Sequence, residues 1–171
     1  MWAVIDGEIK VSRRTPTGGQ LIIELIRAGE ICGASCYAEE GEFIFDAEAM
    51  RKTTALRFPV AILEAAAEQN REVMQALMKD YCRRLYHAQH MRSLASENVL
   101  GRVACALIYL QDKFGDAIPH SRRIVAELAG TSVESAIRAT GTLSEKGLIA
   151  TERNRIVIRS LSKLREFAHK S

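Results

Sequence analysis

The chain has 171 residues, 47% hydrophobic and 26% charged, with a net charge of +3. That length can bury one core or two small ones, the composition is that of an ordinary soluble globular chain, and no apolar run approaches a membrane span. The opening MWAVIDGEIK lacks the basic-then-apolar pattern of a signal peptide, and Cys32, Cys36, Cys82 and Cys105 contain no CxxC pair, so a cytoplasmic protein with reduced thiols is expected. The charge is unevenly spread. Residues 99–171 hold 12 Lys+Arg against 7 Asp+Glu, for +5, while residues 1–98 come to −2. The positive half is the one that would suit phosphate contacts, although +5 alone does not separate DNA binding from a solvated surface.

Residues 1–58 read as β-structure. Alternation flanks Asp6-Gly7, a dipeptide suited to a tight hairpin, and Thr15 to Gly19 is a loop before the strand QLIIELI. Arg27 to Glu30 is a turn, Ile31 to Tyr37 a short segment of small residues, and EFIFDAEA and KTTALRF are the last two strands. Short strands separated by glycine turns predict a small sandwich or barrel. Pro59 ends the sheet and can open a helix at its first position. The pattern is then helical from Val60 to about Ser96, with a break near Asn70. Met74, Leu77, Tyr81, Ala88, Met91 and Ala95 recur at three-and-four spacing, interrupted by Arg84. Such a stripe is either a two-stranded seam or a helix packed on its own domain. Asn98 to Phe114 is a further helix, apolar along Val103, Leu107, Ile108 and Leu110, and Gly115 to Pro119 is a link.

The stretch from Ser121 to Gly147 carries the functional signal. Ile124, Val125, Leu128 and Ala129 share one helical face behind an N-cap at Ser121, and Gly130 suits a left-handed C-cap. Thr131 and Ser132 supply a second capping hydroxyl, and Val133, Ala136, Ile137 and Leu143 carry the next apolar face. Helix, short glycine turn, helix is the spacing of a helix-turn-helix. Glu134 and Arg138 stand four apart in the second helix, so they share a face. A carboxylate there can accept from cytosine N4, and a guanidinium can reach guanine O6 and N7. The same pair equally suits an exposed intrahelical ion pair. LIATERNRIVI follows as strand, polar turn and strand with Arg153 and Arg155 at its tip, and Ser162 to Ala168 is a short terminal helix. The economical reading is a winged helix-turn-helix.

In this order the parts resemble the Crp/Fnr family of bacterial transcription regulators. The resemblance spans nearly the whole chain and is strongest in AELAGTSVESAIRATGTLSEKGLI. It implies an α+β fold: a cupin-like partial β-roll sensor domain over 1–58, a dimerisation helix over 59–97, and a winged helix-turn-helix over 98–171. It implies that Glu134 and Arg138 read bases and that Ser121 and Ser132 cap helices at phosphates. Arg122, Thr131, Val133, Ser135, Arg153 and Arg155 complete the expected DNA contacts. Ile137 stands where some members have serine. The implied partners are double-stranded DNA, a second copy of the chain and RNA polymerase, with a small-molecule or redox effector at the roll and no membrane. The cofactor is unknown.

Two departures stand out. The leading helix and first strands of a family roll are missing before VIDGEIKV, so a shortened roll is expected. Gly33 is followed by Ala34 where cyclic-nucleotide binders have glutamate, and Glu39, Glu40 and Glu42 would repel a cyclic phosphate. Cyclic-nucleotide sensing is therefore not expected.

Elsewhere the signals are weak. Cys32 and Cys36 suit a redox or metal pair less well than small structural residues, since clusters need three or four ligands. Cys82 and Cys105 read as core or interface residues. His87 and His90 read as exposed histidines on a polar helix face rather than a metal pair. His120 suits either a phosphate contact or a plain flank. No convergent acid, base or nucleophile suggests an enzyme. The competing class is an assembly module whose helix-turn-helix serves only packing.

Overall fold

The computed structural model describes residues 1–16, 18–33, 43, 45–93 and 98–170, and its contacts divide the chain into two compact units, Met1–Arg84 and Leu85–Ser171. Among the described residues, the first unit contains two antiparallel three-stranded sheets. In one, β1 (Trp2–Asp6) lies between β4 (Ile31–Cys32) and β6 (Thr54–Arg57). In the other, β2 (Glu8–Arg14) lies between β3 (Gln20–Arg27) and β5 (Asp46–Ala49). Alternating residues turn inward, so Val4, Val11, Ile26 and Cys32 form a common core. Cys32 is thus a core residue, 2% exposed; Cys36, Ala34 and the Glu39, Glu40 and Glu42 run lie outside the described residues.

The expected hairpin at Asp6-Gly7 does not form, because β1 and β2 pair with different strands. Gly7, at φ +94°, instead carries the chain from one sheet to the other. A side chain there would collide with Thr53, whose hydroxyl accepts from the Glu8 N–H at 3.1 Å. Only glycine combines that dihedral with so close an approach. The hairpin that does form joins β2 to β3, where the Thr15 hydroxyl accepts from the Gly19 N–H at 3.0 Å.

Pro59 occupies the N-cap of α1 (Val60–Gln69), one position earlier than expected. The helix breaks at Asn70, which is extended at φ −134° and ψ 109°. Its side chain restarts α2 (Arg71–Ser93) by accepting from the Glu72 N–H at 2.9 Å. The expected stripe on α2 splits between two faces. Leu77, Arg84 and Met91 are partly covered, whereas Met74, Met78, Tyr81 and Leu85 are exposed; Ala95 lies outside the described residues. Arg84 is no interruption in a seam, because it faces the sheets. It donates to Asp80 at 2.7 Å, to Glu24 at 3.0 Å and to the Ile31 carbonyl at 2.9 Å. Arg83 adds bonds to Asp80 at 2.5 Å and to Glu30 at 3.3 Å. Cys82 is exposed on the same helix.

The second unit is organised by α3 (Val99–Phe114), whose N-cap Asn98 accepts from the Gly101 N–H at 2.9 Å. Val103 to Leu107, Tyr109 and Leu110 are all buried, since α4 (Arg122–Ala129), α5 (Val133–Glu145) and α6 (Leu161–Lys170) pack around α3. His87 is half-buried rather than exposed: it meets Asp112 at 3.2 Å and stands edge-on to Tyr109. His90 stacks on Tyr86. The link after α3 contains β7 (Ala117–Ile118), a strand too short to show in the sequence pattern. It pairs with β9 (Arg155–Ile158), which also pairs with β8 (Ile149–Glu152).

Candidate nucleic-acid interface

The helix-turn-helix is assembled from local signals that act as expected at most points. Gly130 takes the left-handed conformation, φ 59° and ψ 46°, and its N–H reaches the Ala126 carbonyl. The side chain of Arg102 on α3 donates to the Ala129 carbonyl at 3.0 Å and so secures the end of α4. Ser132 caps α5, accepting from the Ser135 N–H at 3.2 Å. Ser121 also holds an N-cap position, but its hydroxyl makes no cap bond to α4. That hydroxyl stands at the positive end of the helix dipole.

The apolar face of α5 differs from the expected one. Ala136, Ala139, Thr140 and Leu143 are buried, with Thr140 donating to the Ala136 carbonyl at 2.9 Å. Val133 and Ile137 remain 37% and 46% exposed. At 100° per residue they fall with Glu134, Arg138 and Gly141 on the outer side of the helix, opposite the buried one. The outer face therefore mixes one carboxylate, one guanidinium and two branched apolar side chains.

Arg138 donates to the Ser135 hydroxyl at 2.9 Å. Among the described residues no ion pair closer than 4 Å joins it to Glu134. The Glu134 carboxyl is held below its usual range by its own backbone N–H, by the Ser132 hydroxyl and by the nearby charge of Arg138. It is fully ionised at neutral pH and can accept hydrogen bonds. Thr131 and Ser135 are half-buried at the turn and the first turn of α5.

A groove of about 290 Å³ runs between the start of α4 and the wing. Ser121 and Arg122 line it on one side, Arg153 and Arg155 on the other, with His120, Arg123, Asn154 and Ile137 among the remaining walls. His120 is 6% exposed and edge-on to Phe114, so packing holds it. Asn154 turns the wing with φ 56°, a conformation asparagine tolerates. Sequence reasoning passed over Arg123 and Asn154. The Ser121-Arg122-Arg123 run and the Arg153-Asn154-Arg155 run were the available signals. Arg123 also pairs with Glu127 at 2.9 Å.

Residues 101–167 match the model of the Crp-like helix-turn-helix domain, and residues 1–70 match that of the cyclic nucleotide-binding domain. The chain belongs to the Crp/Fnr family. Among its Crp/Fnr relatives, the CRP-like cAMP-activated global transcriptional regulator of Mycobacterium tuberculosis is 22% identical over 96% of this chain and 77% of its own length. The cyclic AMP receptor protein of Thermus thermophilus is 27% identical over 98% of this chain and 79% of its own. The structure of FixK2 from Bradyrhizobium japonicum shares the fold with a TM-score of 0.73, at 22% identity, covering 96% of this chain and 85% of that one. Like the family, the chain is a DNA-binding transcription regulator and not an enzyme. No described helix is long and apolar enough to cross a membrane.

Proposed function

We propose that this Crp/Fnr regulator acts as a homodimer on an inverted-repeat operator, with one α5 helix in the major groove of each half-site. The observation that carries the reading is the outer face of α5, where Glu134 and Arg138 stand exposed beside Ile137, which lines a groove shared with the arginines that begin α4 and those at the wing tip. Glu134 and Arg138 take the base-reading roles. Ser121, Arg122, Thr131, Ser132 and Ser135 hold phosphates at the two helix N-termini, Val133 borders the bases, and Arg153 and Arg155 grip the backbone from the wing. Support for the dimer comes from α2. Met74, Met78, Tyr81 and Leu85 are exposed at alternating four-three-four spacing, the repeat of a two-stranded seam. Two-fold symmetry then sets the recognition helices about 34 Å apart.

Residues 1–58 form the sensor-like domain, 59–97 the dimerisation segment and 98–171 the reader, in a cytoplasmic protein. The signal is not a cyclic nucleotide, because the sequence after Gly33 supplies glutamates where a phosphate needs cations. A different small molecule or a redox signal shifts the packing of the sheets on α2 and so the population of DNA-competent dimers. RNA polymerase is the downstream partner.

The test is selection of random duplexes by the purified protein at near-physiological salt. A palindrome with half-sites one helical turn apart is expected. Arg138→Ala then costs about 1–3 kcal/mol on that duplex and relaxes one base pair. A folded protein that enriches no motif would return the assembly-module reading.

A further inference from the structure

We infer that His87 and Asp112 are positioning residues that tie the end of α2 to α3, and that the tie tightens when His87 takes up a proton, so that operator binding strengthens as pH falls. This rests on the dimeric operator reading above, but it uses residues away from the DNA-facing side of α5. The boundary between the two compact units falls within α2, so Leu85–Ser93 belongs to the second. His87 lies in that stretch with its side chain 16% exposed, and its Nε2 stands 3.2 Å from an Asp112 carboxylate oxygen on α3. Tyr109, one turn before Asp112, meets the imidazole edge-on at 5.1 Å, and Tyr86 meets it from α2 at 5.6 Å. Two rings thus hold the imidazole against the carboxylate. Since α4 and α5 pack on α3, a restraint on α3 is also a restraint on the recognition helix.

An apolar side chain would fill the place between two aromatic rings equally well. The imidazole adds a bond whose strength depends on its proton count. When neutral, it can give Asp112 one N–H in one tautomer and turns a lone pair to the carboxylate in the other. When protonated, it donates from both nitrogens and adds the attraction of opposite charges. Histidine is the side chain that ordinarily makes this change between about pH 8 and pH 5. Other charged and titratable groups surround the pair. The Lys113 ammonium lies over the Tyr109 ring at 5.8 Å, and His90, one turn on, stacks on Tyr86. Arg83 and Arg84, one turn back, bond to Asp80, Glu30 and Glu24. Of these groups Asp112 is the one at hydrogen-bond distance, so it decides how the pair responds to a proton. A dimer that spans two half-sites must hold both readers in register, and freedom between seam and reader is lost on binding. A clamp already closed lowers that cost, which sets the direction: acid tightens operator binding.

The experiment measures affinity for the selected palindrome by fluorescence anisotropy, at constant ionic strength, from about pH 8 to pH 5.5. The full chain is compared with His87→Gln, which keeps a neutral donor, and with Asp112→Asn, which keeps the shape and removes the charge. His90→Gln, one turn away, is the control for general acid effects on DNA binding. A partly exposed ion pair is worth about three- to fivefold in an equilibrium constant, so two protomers give about ten- to twenty-fivefold. The parent and His90→Gln are expected to tighten on acidification by that factor more than His87→Gln and Asp112→Asn do. A parent profile no steeper than that of His87→Gln, or one abolished by His90→Gln, would overturn the inference. A double-mutant cycle in urea, followed by circular dichroism, tests the clamp without DNA. Coupling between His87 and Asp112 should be about three- to fivefold in the unfolding constant near pH 6 and smaller near pH 8. Equal coupling at both would overturn the proton dependence. No duplex enriched at any pH, with the coupling present, would overturn the operator reading and not the clamp.

Discussion

Replacing Arg84 by methionine keeps the aliphatic stem and removes the guanidinium that joins α2 to the sheets. Three bonds vanish: to Asp80 at 2.7 Å, to Glu24 at 3.0 Å and to the Ile31 carbonyl at 2.9 Å. Breaking a fully buried ion pair costs about 3–5 kcal/mol, because one charge is stranded. Here the side chains of Arg84, Glu24 and Asp80 are 17%, 21% and 29% exposed, and Asp80 keeps Arg83. Water reaches the survivors in part, so about 2–3 kcal/mol is expected. Trp2, the single tryptophan of the chain, lies in β1 of the same unit, so its emission in urea reports the unfolding of that unit. With a urea dependence of about 1.5 kcal/mol/M, the midpoint should fall by about 1.3–2 M.

The same network sets an acid limit. Burial alone would raise the Asp80 carboxyl, but the charges and hydrogen bonds of Arg84 and then Arg83 outweigh it and hold it below the usual aspartate range. A carboxyl with a depressed folded value stabilises fully above its unfolded value, and the contribution fades as pH falls through the folded one. The parent unit should therefore lose stability below about pH 4, and Arg84→Met should show a flatter profile there. A midpoint within about 0.3 M of the parent at pH 7, with the same acid profile, would refute the reasoning and make Arg84 a solvated residue.

The two capping serines should separate. Ser132→Ala removes a formed cap and is expected to cost about 1 kcal/mol in urea denaturation followed by circular dichroism. Ser121→Ala removes no cap bond, so stability should stay within about 0.5 kcal/mol while affinity for the selected duplex falls. Arg153→Ala should weaken binding to cognate and scrambled duplexes alike and reduce the salt slope by about one, measured by fluorescence anisotropy across a salt series. Leu85→Glu places a charge on each side of the proposed seam. It is expected to raise the dimer dissociation constant roughly a hundredfold in sedimentation equilibrium, with binding to a single half-site unchanged.

Much of the second unit was legible because its signals are local. A left-handed glycine at 130, a capping serine at 132 and a polar turn at 153–154 each act through backbone conformations set by a few neighbours. The break at Asn70 was legible for the same reason. The first unit was harder. Asp6-Gly7 carries the composition of a hairpin turn, yet strand pairing is decided by distant segments, and the nearby Thr53 determines what Gly7 does. Two-residue strands such as β7 exist only because β9 offers them an edge, and no periodicity can announce them.

Helical faces show the same division. Spacing along α2 and α5 established that each helix is amphipathic, because apolar residues recur at the helical period whatever surrounds them. Which side turns inward was settled by what each helix meets. Arg84 faces the sheets because Glu24, Glu30 and the Ile31 carbonyl await it, which leaves Met78 and Leu85 outside. Ile137 stands with Glu134 and Arg138 because α3 and α4 cover the opposite side of α5. The sequence by itself determined the helices, the caps at Gly130 and Ser132, and the family to which the chain belongs. Only the tertiary structure decided which residues of each helix are left to meet a partner, since burial depends on neighbours far away in the chain.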